Sequence, residues 1–286
     1  MTGFNHRFDP TVLREYDIRG IVGKTLNPED AYAIGRCFGS VVSRGGGKRV
    51  AVGYDGRLHS PEMEAQLVAG LRACGLEVVR IGLCATPMLY FAAYALEADG
   101  AAMVTGSHNP PDYNGFKMMI GKKPFYGAQI QQIGRMAADG DVVPEAAGSD
   151  RAVDIATRYA DRVLQDWDGG DRALKVVWDP GNGSGGAITE MLVKHLPGEH
   201  TVCFDGDTAI LVCNIDGEIY ALEDKCTHQD FELSPGKLDG VEIECVLHGA
   251  KFDVRTGEAL CAPAYAPVPK FPVRIDNGVI YTRDDR

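Results

Sequence analysis

Four residues near the C-terminal end have the types and the spacing of metal ligands. Cys226 and His228 are two positions apart, Cys245 and His248 are three positions apart, and sixteen residues separate the two pairs. Thiolate and neutral imidazole both bind zinc and iron in proteins. The spacing therefore predicts a metal centre held by two short loops.

The order of the ligands distinguishes two kinds of centre. Zinc fingers place cysteine next to cysteine and histidine next to histidine along the chain, whereas here each pair has one of each. Two such pairs can supply two thiolates to one iron and two imidazoles to another, which is the ligand set of a Rieske 2Fe-2S cluster. We favour this interpretation over a four-ligand zinc site and over a chance set of core residues.

The surrounding passages CTHQ and CVLHGAKFDVRTGEAL resemble the Rieske ferredoxins that serve ring-hydroxylating oxygenases, over about residues 207–283. The resemblance implies one-electron transfer through a 2Fe-2S cluster, with Cys226 and Cys245 on one iron and His228 and His248 on the other. It also implies a reductase and an oxygenase as redox partners. Two strands that such ferredoxins carry before the one matched by TAILVCNI have no counterpart in this sequence.

The resemblance also implies a low reduction potential. High-potential Rieske proteins carry a Ser and a Tyr that donate to the cluster sulfurs, and two cysteines that form a disulfide between the ligand loops. This chain has Ala250 and Phe252 in place of the first two, and Asp230 and Leu247 in place of the cysteines. Because hydrogen bonds to sulfur favour the reduced cluster, we expect a midpoint on the order of −150 mV.

A second candidate site lies in the N-terminal half. Ser107 follows an apolar strand and a glycine, so its hydroxyl is expected at the carboxyl end of a parallel sheet, where open α/β sheets bind ligands. A Ser-His pair alone equally fits a turn held by hydroxyl hydrogen bonds.

Three passages, YDIRG, GYDGR and TGSHNPPDYNGFK, together resemble the α-D-phosphohexomutases, the phosphomannomutase and phosphoglucomutase family, over roughly residues 8–203. The resemblance implies a phosphosugar substrate and a phosphoserine at Ser107. It assigns His108, Arg19 and Lys117 to stabilising the transferring charge, and Mg²⁺ to a place beside the phosphoserine.

The metal loop departs from the family pattern DGDxDR. The passage FDGDTAIL offers Asp205 and Asp207, but residues 208–211 replace the third Asp and the Arg. We interpret it as a turn before a strand rather than a metal loop. Since the family's later sugar-holding domains also have no counterpart, we expect an inactive mutase. The run GNGSGG matches a dinucleotide-binding fingerprint, but the mutase family carries a similar structural loop, which is the favoured interpretation.

The elements that must position these residues change type along the chain. Residues 49–130 read as a βαβαβ series, whose first helix opens on Ser60 as its capping residue. This series predicts a parallel sheet covered by helices. A second α/β unit opens with a helix over 150–167, and only short strands with Gly and Asp turns follow residue 205. The predicted fold class is α/β followed by an all-β Rieske domain. Its parts are a phosphohexomutase-like domain 1 (1–148), a truncated domain 2 (149–205) and a Rieske domain without its first strands (206–286).

Two truncations that meet near residues 203–207 indicate a chimera of two unrelated proteins. Electron transfer through the cluster is the favoured function. Phosphosugar mutase activity through Ser107 is the alternative, and a chain in which neither half works is a third possibility.

Charge and composition limit the partners. The net charge is −11, and the segment from Asp205 onward carries 16 acidic and 8 basic residues. Such a surface disfavours nucleic acid and anionic membrane and suits a basic protein face. Without a signal peptide or an apolar run of about 18 residues, a cytoplasmic location is expected. The remaining six cysteines are expected to be buried small hydrophobic residues: Cys37, Cys74, Cys84, Cys203, Cys213 and Cys261.

Overall fold

The computed structural model describes residues 4–170, 172–181, 183–202, 209–276 and 279–282. They form two compact units. The first extends to Val176 and includes Gly183–His200, and the second comprises the rest of the described chain. None of the described helices is long and apolar enough to cross a membrane.

The N-terminal part alternates strands and helices. Its strands are β1 (Ile18–Ile21), β2 (Arg49–Tyr54), β3 (Glu77–Leu83), β4 (Gly100–Val104), β5 (Tyr113–Ile120), β6 (Lys123–Phe125), β7 (Ser149–Ala152), β8 (Leu174–Trp178) and β9 (Gly198–Val202). Its helices are α1 (Pro28–Arg44), α2 (Ser60–Arg72), α3 (Thr86–Ala95), α4 (Ala128–Asp139), α5 (Ala156–Gln165) and α6 (Gly186–Val193).

The main sheet is mixed, with the strand order β1-β5-β4-β2-β3-β7 and β6 paired to β5. The predicted βαβαβ series is confirmed, since β3, β2 and β4 are parallel neighbours. Strand β5, however, runs antiparallel to β4. A parallel connection needs about a dozen residues or more, and the loop 105–112 is too short for one. This reversing loop contains Ser107.

Helices cover both faces of the sheet, so its strands are buried on both sides. In β2, Val50 and Val52 face a core formed with α1, α2 and α4. The residue between them, Ala51, faces a second core formed with α3, α5 and α6. The alternation of side chains along the strand thus separates two apolar layers.

Helices α1 and α2 approach closely because glycine lies at their contact. A Cβ on Gly35 would lie 2.4 Å from the carbonyl oxygen of Leu67, and one on Gly70 would lie 2.3 Å from that of Tyr32. The close approach lies in the C-terminal half of α2, where Leu67 and Gly70 face α1.

Two local predictions are corrected. The helix predicted over 150–167 begins at Ala156, because residues 149–152 form β7, which pairs with β3. Ser60, expected to cap α2, is its first residue, and its hydroxyl donates instead to the carboxylate of Asp55 (2.6 Å).

Among the described residues from 209 onward, the regular elements are all strands, as predicted. They are β10 (Ile210–Ile215), β11 (Glu218–Glu223), β12 (Lys237–Asp239), β13 (Glu242–Glu244), β14 (Lys251–Asp253), β15 (Lys270–Phe271), β16 (Val273–Asp276) and β17 (Val279–Thr282). They form the small antiparallel sheets β10-β11-β15, β12-β13-β14 and β16-β17. The first two of these sheets share a core that includes Leu222, Ile243 and Phe252.

Candidate functional site

The four predicted iron ligands lie on two loops that follow strands. Cys226 and His228 come after β11, and Cys245 and His248 come directly after β13. Both cysteines are 2 % exposed and belong to the apolar core of the second unit. His228 is half-buried and His248 is exposed. The thiols thus face the interior while the imidazoles lie toward the surface.

Main-chain hydrogen bonds close both loops. The amide of Cys226 donates to the carbonyl of Phe231 (2.7 Å), and the amide of Cys245 donates to that of Ala250 (2.8 Å). The carboxylate of Asp224 accepts two further amides of the first loop, at 2.6 and 2.7 Å. These hydrogen bonds therefore fix the main-chain positions of the two ligand cysteines.

The histidine pair contains a buried nitrogen that no described residue contacts by a hydrogen bond. The rings of His228 and His248 lie with their centroids 4.8 Å apart at 80°. The Nδ1 atom of His228 is buried and has no hydrogen-bond partner among the described residues. A buried polar atom without a partner is uncommon, and an iron would supply one. The donor set therefore fits the cluster.

The four ligands are grouped as two pairs along the chain. Within the described parts of the chain, no three or more His, Cys, Asp or Glu side chains gather in a way that could hold one metal ion. A structural zinc needs four converging ligands. In a Rieske cluster each iron takes only two protein ligands, so two separate pairs are sufficient.

A third segment, residues 259–266, contacts both ligand loops and was not predicted from the sequence. The hydroxyl of Thr227 donates to the carbonyl of Ala266 (2.7 Å), and the Cys261 thiol lies 3.6 Å from the carbonyl of Gly249. Cys261 is exposed, so its predicted burial is wrong: its loop lies on the surface. Cys37, Cys74, Cys84 and Cys213 are buried as predicted, and Cys203 lies outside the described residues.

Ser107 lies on the loop after β4, at the predicted end of the strand. Its φ is 54°, in the left-handed region, and its side chain is exposed. Its hydroxyl oxygen is 3.3 Å from Nδ1 of His108. The structure therefore brings these two predicted site residues together at the surface.

The two predicted cations lie on the strands beside this loop. Arg19 of β1 is 2 % exposed, pairs with Asp17 (2.6 Å) and donates to the carbonyl of Gly106. It thus holds the loop as well as lying next to it. Lys117 lies on β5 opposite Met103 of β4, with its side chain half-buried.

The proposed magnesium site is not tested by these residues. Asp205 and Asp207 lie outside the described part of the chain. Asp55, which the sequence analysis did not single out, lies close to the loop and accepts the amide of Gly106 (2.9 Å). Its contact joins residues that are far apart in the sequence, and only the motif GYDGR could have indicated it.

The first half of the chain matches known phosphosugar mutases. The family model described as phosphoglucomutase/phosphomannomutase, alpha/beta/alpha domain I, matches residues 10–141. A phosphomannomutase/phosphoglucomutase of Pseudomonas aeruginosa is 42% identical over 208 residues, which cover 72% of this chain and 42% of that protein. The chain therefore spans less than half the length of this relative. A phosphoglucomutase/phosphomannomutase family structure from Burkholderia thailandensis has a TM-score of 0.65 at 42% identity, covering 70% of this chain and 45% of its own.

The second part matches a different family. A model described as Rieske [2Fe-2S] domain matches residues 188–272. A ferredoxin of Sphingomonas yanoikuyae B1 is 38% identical, covering 27% of this chain and 76% of its own, with a TM-score of 0.26. The two family models match successive parts of the chain, so both resemblances noted from the sequence are confirmed and agree with a chimera.

Proposed function

We propose that this chain, which joins a domain I of the phosphoglucomutase/phosphomannomutase family to a Rieske [2Fe-2S] domain, transfers single electrons through a 2Fe-2S cluster. Cys226 and Cys245 would hold one iron, and His228 and His248 the other. The observation that carries the proposal is the buried Nδ1 of His228, which has no partner among the described residues.

When bound, the cluster supplies a one-electron redox couple. The protein's own residues control access to it. The two buried cysteines exclude water from the thiolate side. His248 is exposed, so the histidine side is where a partner can approach within electron-transfer distance.

The surface beside the histidines suits a redox protein. Val246 and Leu247, next to His248, are 55% and 44% exposed. Apolar side chains at the centre of an interface exclude water, and the excess of acidic residues from Asp205 onward would attract a basic partner. We propose a reductase as electron donor and an oxygenase as acceptor. We also propose a cytoplasmic location.

Metal and sulfide analysis of the purified chain tests this function. We expect two irons and two inorganic sulfides per chain, a red-brown colour, and loss of the visible bands on reduction with dithionite. One zinc per chain without sulfide would refute the proposal.

We propose the domain boundaries 1–148, 149–205 and 206–286. Among the described residues, the strands of the last of these domains begin at Ile210.

A second candidate function is supported by the geometry of the Ser107 loop. Its exposed hydroxyl, the adjacent His108 and the buried Arg19 form a site that can accept a phosphoryl group. From a hexose 1,6-bisphosphate, the donor's P–O bond breaks, a P–Oγ bond forms, and a hexose monophosphate leaves. The imidazole of His108 takes the serine proton, and the departing sugar oxygen receives a proton in exchange through water.

Mass spectrometry after incubation with a hexose 1,6-bisphosphate and Mg²⁺ tests this second function. We expect phosphate on Ser107 and none in Ser107→Ala. We expect no interconversion of hexose 1- and 6-phosphates, because TAIL stands where the metal loop would have its third Asp and its Arg. Turnover that disappears in Ser107→Ala would contradict this.

A further inference from the structure

The Arg57 side chain makes an unusual set of contacts with the Ser107 loop. One terminal nitrogen donates to the carbonyls of Pro110 (2.5 Å) and Tyr113 (3.0 Å). The other donates to the carbonyls of Ser107 (3.0 Å) and Asn109 (2.5 Å). The guanidinium therefore connects four main-chain oxygens of one loop.

The guanidinium passes directly over Gly106. A Cβ on Gly106 would lie 1.9 Å from the Nε of Arg57, so only glycine leaves room for it. Asp55 contacts both Gly106 and Arg57. Its carboxylate accepts the Gly106 amide (2.9 Å) and lies 3.5 Å from the Nε of Arg57.

The loop needs such support because Ser107 has a φ of 54°, which a residue with a side chain rarely adopts. A strained backbone of this kind persists only when surrounding contacts fix it. The bonds from Arg57 lie at Ser107 itself and at three residues beyond it. At Gly106, the residue before Ser107, Asp55 accepts from the amide and Arg19 donates to the carbonyl.

We infer that Arg57 is a positioning residue: it fixes the conformation in which Ser107 presents its hydroxyl, without contacting the phosphoryl group itself. Each terminal nitrogen already has two acceptors, and the side chain is 15% exposed. For its consequence on phosphoryl transfer the inference rests on the second proposed function. For the loop conformation it rests on the geometry alone.

Substitution of Arg57 by lysine distinguishes a positioning role from that of a phosphate-binding cation. Lys keeps the positive charge but has no planar fork and cannot reach four carbonyls at once. Arg57→Lys should therefore fail like Arg57→Ala if Arg57 is a clamp, and should retain activity if it acts by charge alone. Arg49→Lys is the matched control, because Arg49 begins β2, the strand that ends before the turn containing Arg57, and its own side-chain contacts are with Glu77 and Leu96.

The experiment uses the full iron-loaded chain and two measurements. Amide hydrogen exchange is followed in residues 106–113, and phosphorylation of Ser107 by a hexose 1,6-bisphosphate is followed by mass spectrometry. In Arg57→Lys we expect exchange in this loop to accelerate at least about tenfold and phosphorylation to slow at least about tenfold. Arg49→Lys should match the wild type in both.

Each other outcome decides something. Unchanged loop exchange in Arg57→Lys overturns the inference, whether or not phosphorylation slows, and a selective slowing would instead make Arg57 a direct contact of the phosphoryl donor. If the wild type is never phosphorylated, the second proposed function fails while loop exchange still tests the clamp. If Arg57→Ala unfolds, the Lys variant alone decides.

Discussion

The two candidate sites differ in how their polar groups are satisfied. Around Ser107 the loop carbonyls accept hydrogen bonds from Arg57 and Arg19, and the left-handed serine is held before any ligand arrives. At the Cys/His loops the Nδ1 of His228 is buried and has no partner among the described residues. The first site is therefore built by the protein alone, whereas the second would be completed by the proposed cluster.

The folds around the two sites also differ in how much of their stability the protein supplies without a cofactor. The first unit has a sheet covered by helices, with a large apolar core on each face. The second unit has strands of two to six residues, and its core includes the two ligand cysteines. A cluster that joins these cysteines to the histidines would link the two ligand loops where main-chain pairing is short. Cofactor loss should thus affect one unit and leave the other intact.

The largest effect is expected from removing one thiolate. Cys245→Ser should give a colourless protein with at least about tenfold less iron, since losing a direct ligand exceeds the effects known for indirect ones. Iron and sulfide analysis measures this. Cys213→Ser is the matched control, because Cys213 is also buried in this core but is not a proposed ligand. Equal iron in the two variants would remove Cys245 from the ligand set.

Cofactor removal tests the comparison directly. After extraction of iron, amide protection should disappear from the strands β10–β15 and persist in α1 and α2. Metal-binding free energy is folding free energy in small metal domains, on the order of 10 kcal/mol for structural zinc, which is comparable to the stability of a whole domain. Hydrogen exchange with mass spectrometry measures both regions in one sample. A second unit that stays protected without iron would break the proposed contrast.

Overfilling the Ser107 loop should cost less. In Gly106→Ala the new methyl group must displace Arg57, and overpacking of this kind costs about 1–3 kcal/mol. Urea unfolding measures the loss, and phosphorylation of Ser107 should fall with it. Gly183→Ala is the control, because a Cβ there meets nothing within 4 Å. Equal stability of the two variants would show that the loop is not held as rigidly as its contacts indicate.

Local patterns in the sequence indicated the candidate site residues, but not the contacts that support them. The ligand spacing and the strand before Ser107 are local, so Cys226, Cys245 and the serine could be recognised directly. The Arg57 clamp joins residues 50 to 56 positions apart, which no local pattern reports. The same limit explains Ser60, whose hydroxyl was expected to cap a helix but donates to Asp55, a partner that folding supplies.

A smaller effect concerns the buried thiols of the first unit. Burial raises the pKa of the Cys37 thiol from 9.0 to about 12. The folded state therefore prefers the protonated thiol, and its contribution to stability is present below pH 9 and is lost as pH rises from 9 to 12. Relative to Cys37→Ala, the wild type should lose about 1.4 kcal/mol between pH 8 and pH 10.

Urea unfolding at the two pH values measures this loss through the helical circular dichroism signal, since all helices in the described residues belong to the first unit. The difference between the wild type and Cys37→Ala cancels the titration of other groups. A pH-independent difference would mean that the Cys37 thiol has the same pKa in the folded and the unfolded protein, contrary to its burial.

The smallest effect is expected in the potential of the cluster. Phe252 lies on β14, is fully buried and belongs to the core that contains both ligand cysteines. By resemblance it occupies the place of a tyrosine that donates to a cluster sulfur. Phe252→Tyr should therefore stabilise the reduced state. One net hydrogen bond of about 1 kcal/mol corresponds to a rise on the order of 40 mV for one electron.

Redox titration followed by the visible bands measures the midpoint, which we expect near the low end of the Rieske range, on the order of −150 mV. Phe252→Leu separates packing from hydrogen bonding, because it disturbs the core without adding a donor. Ala250→Ser should raise the midpoint independently, since it adds a donor at another position. A wild-type midpoint above about +100 mV, or a Phe252→Tyr midpoint that falls, would contradict control by donors to sulfur.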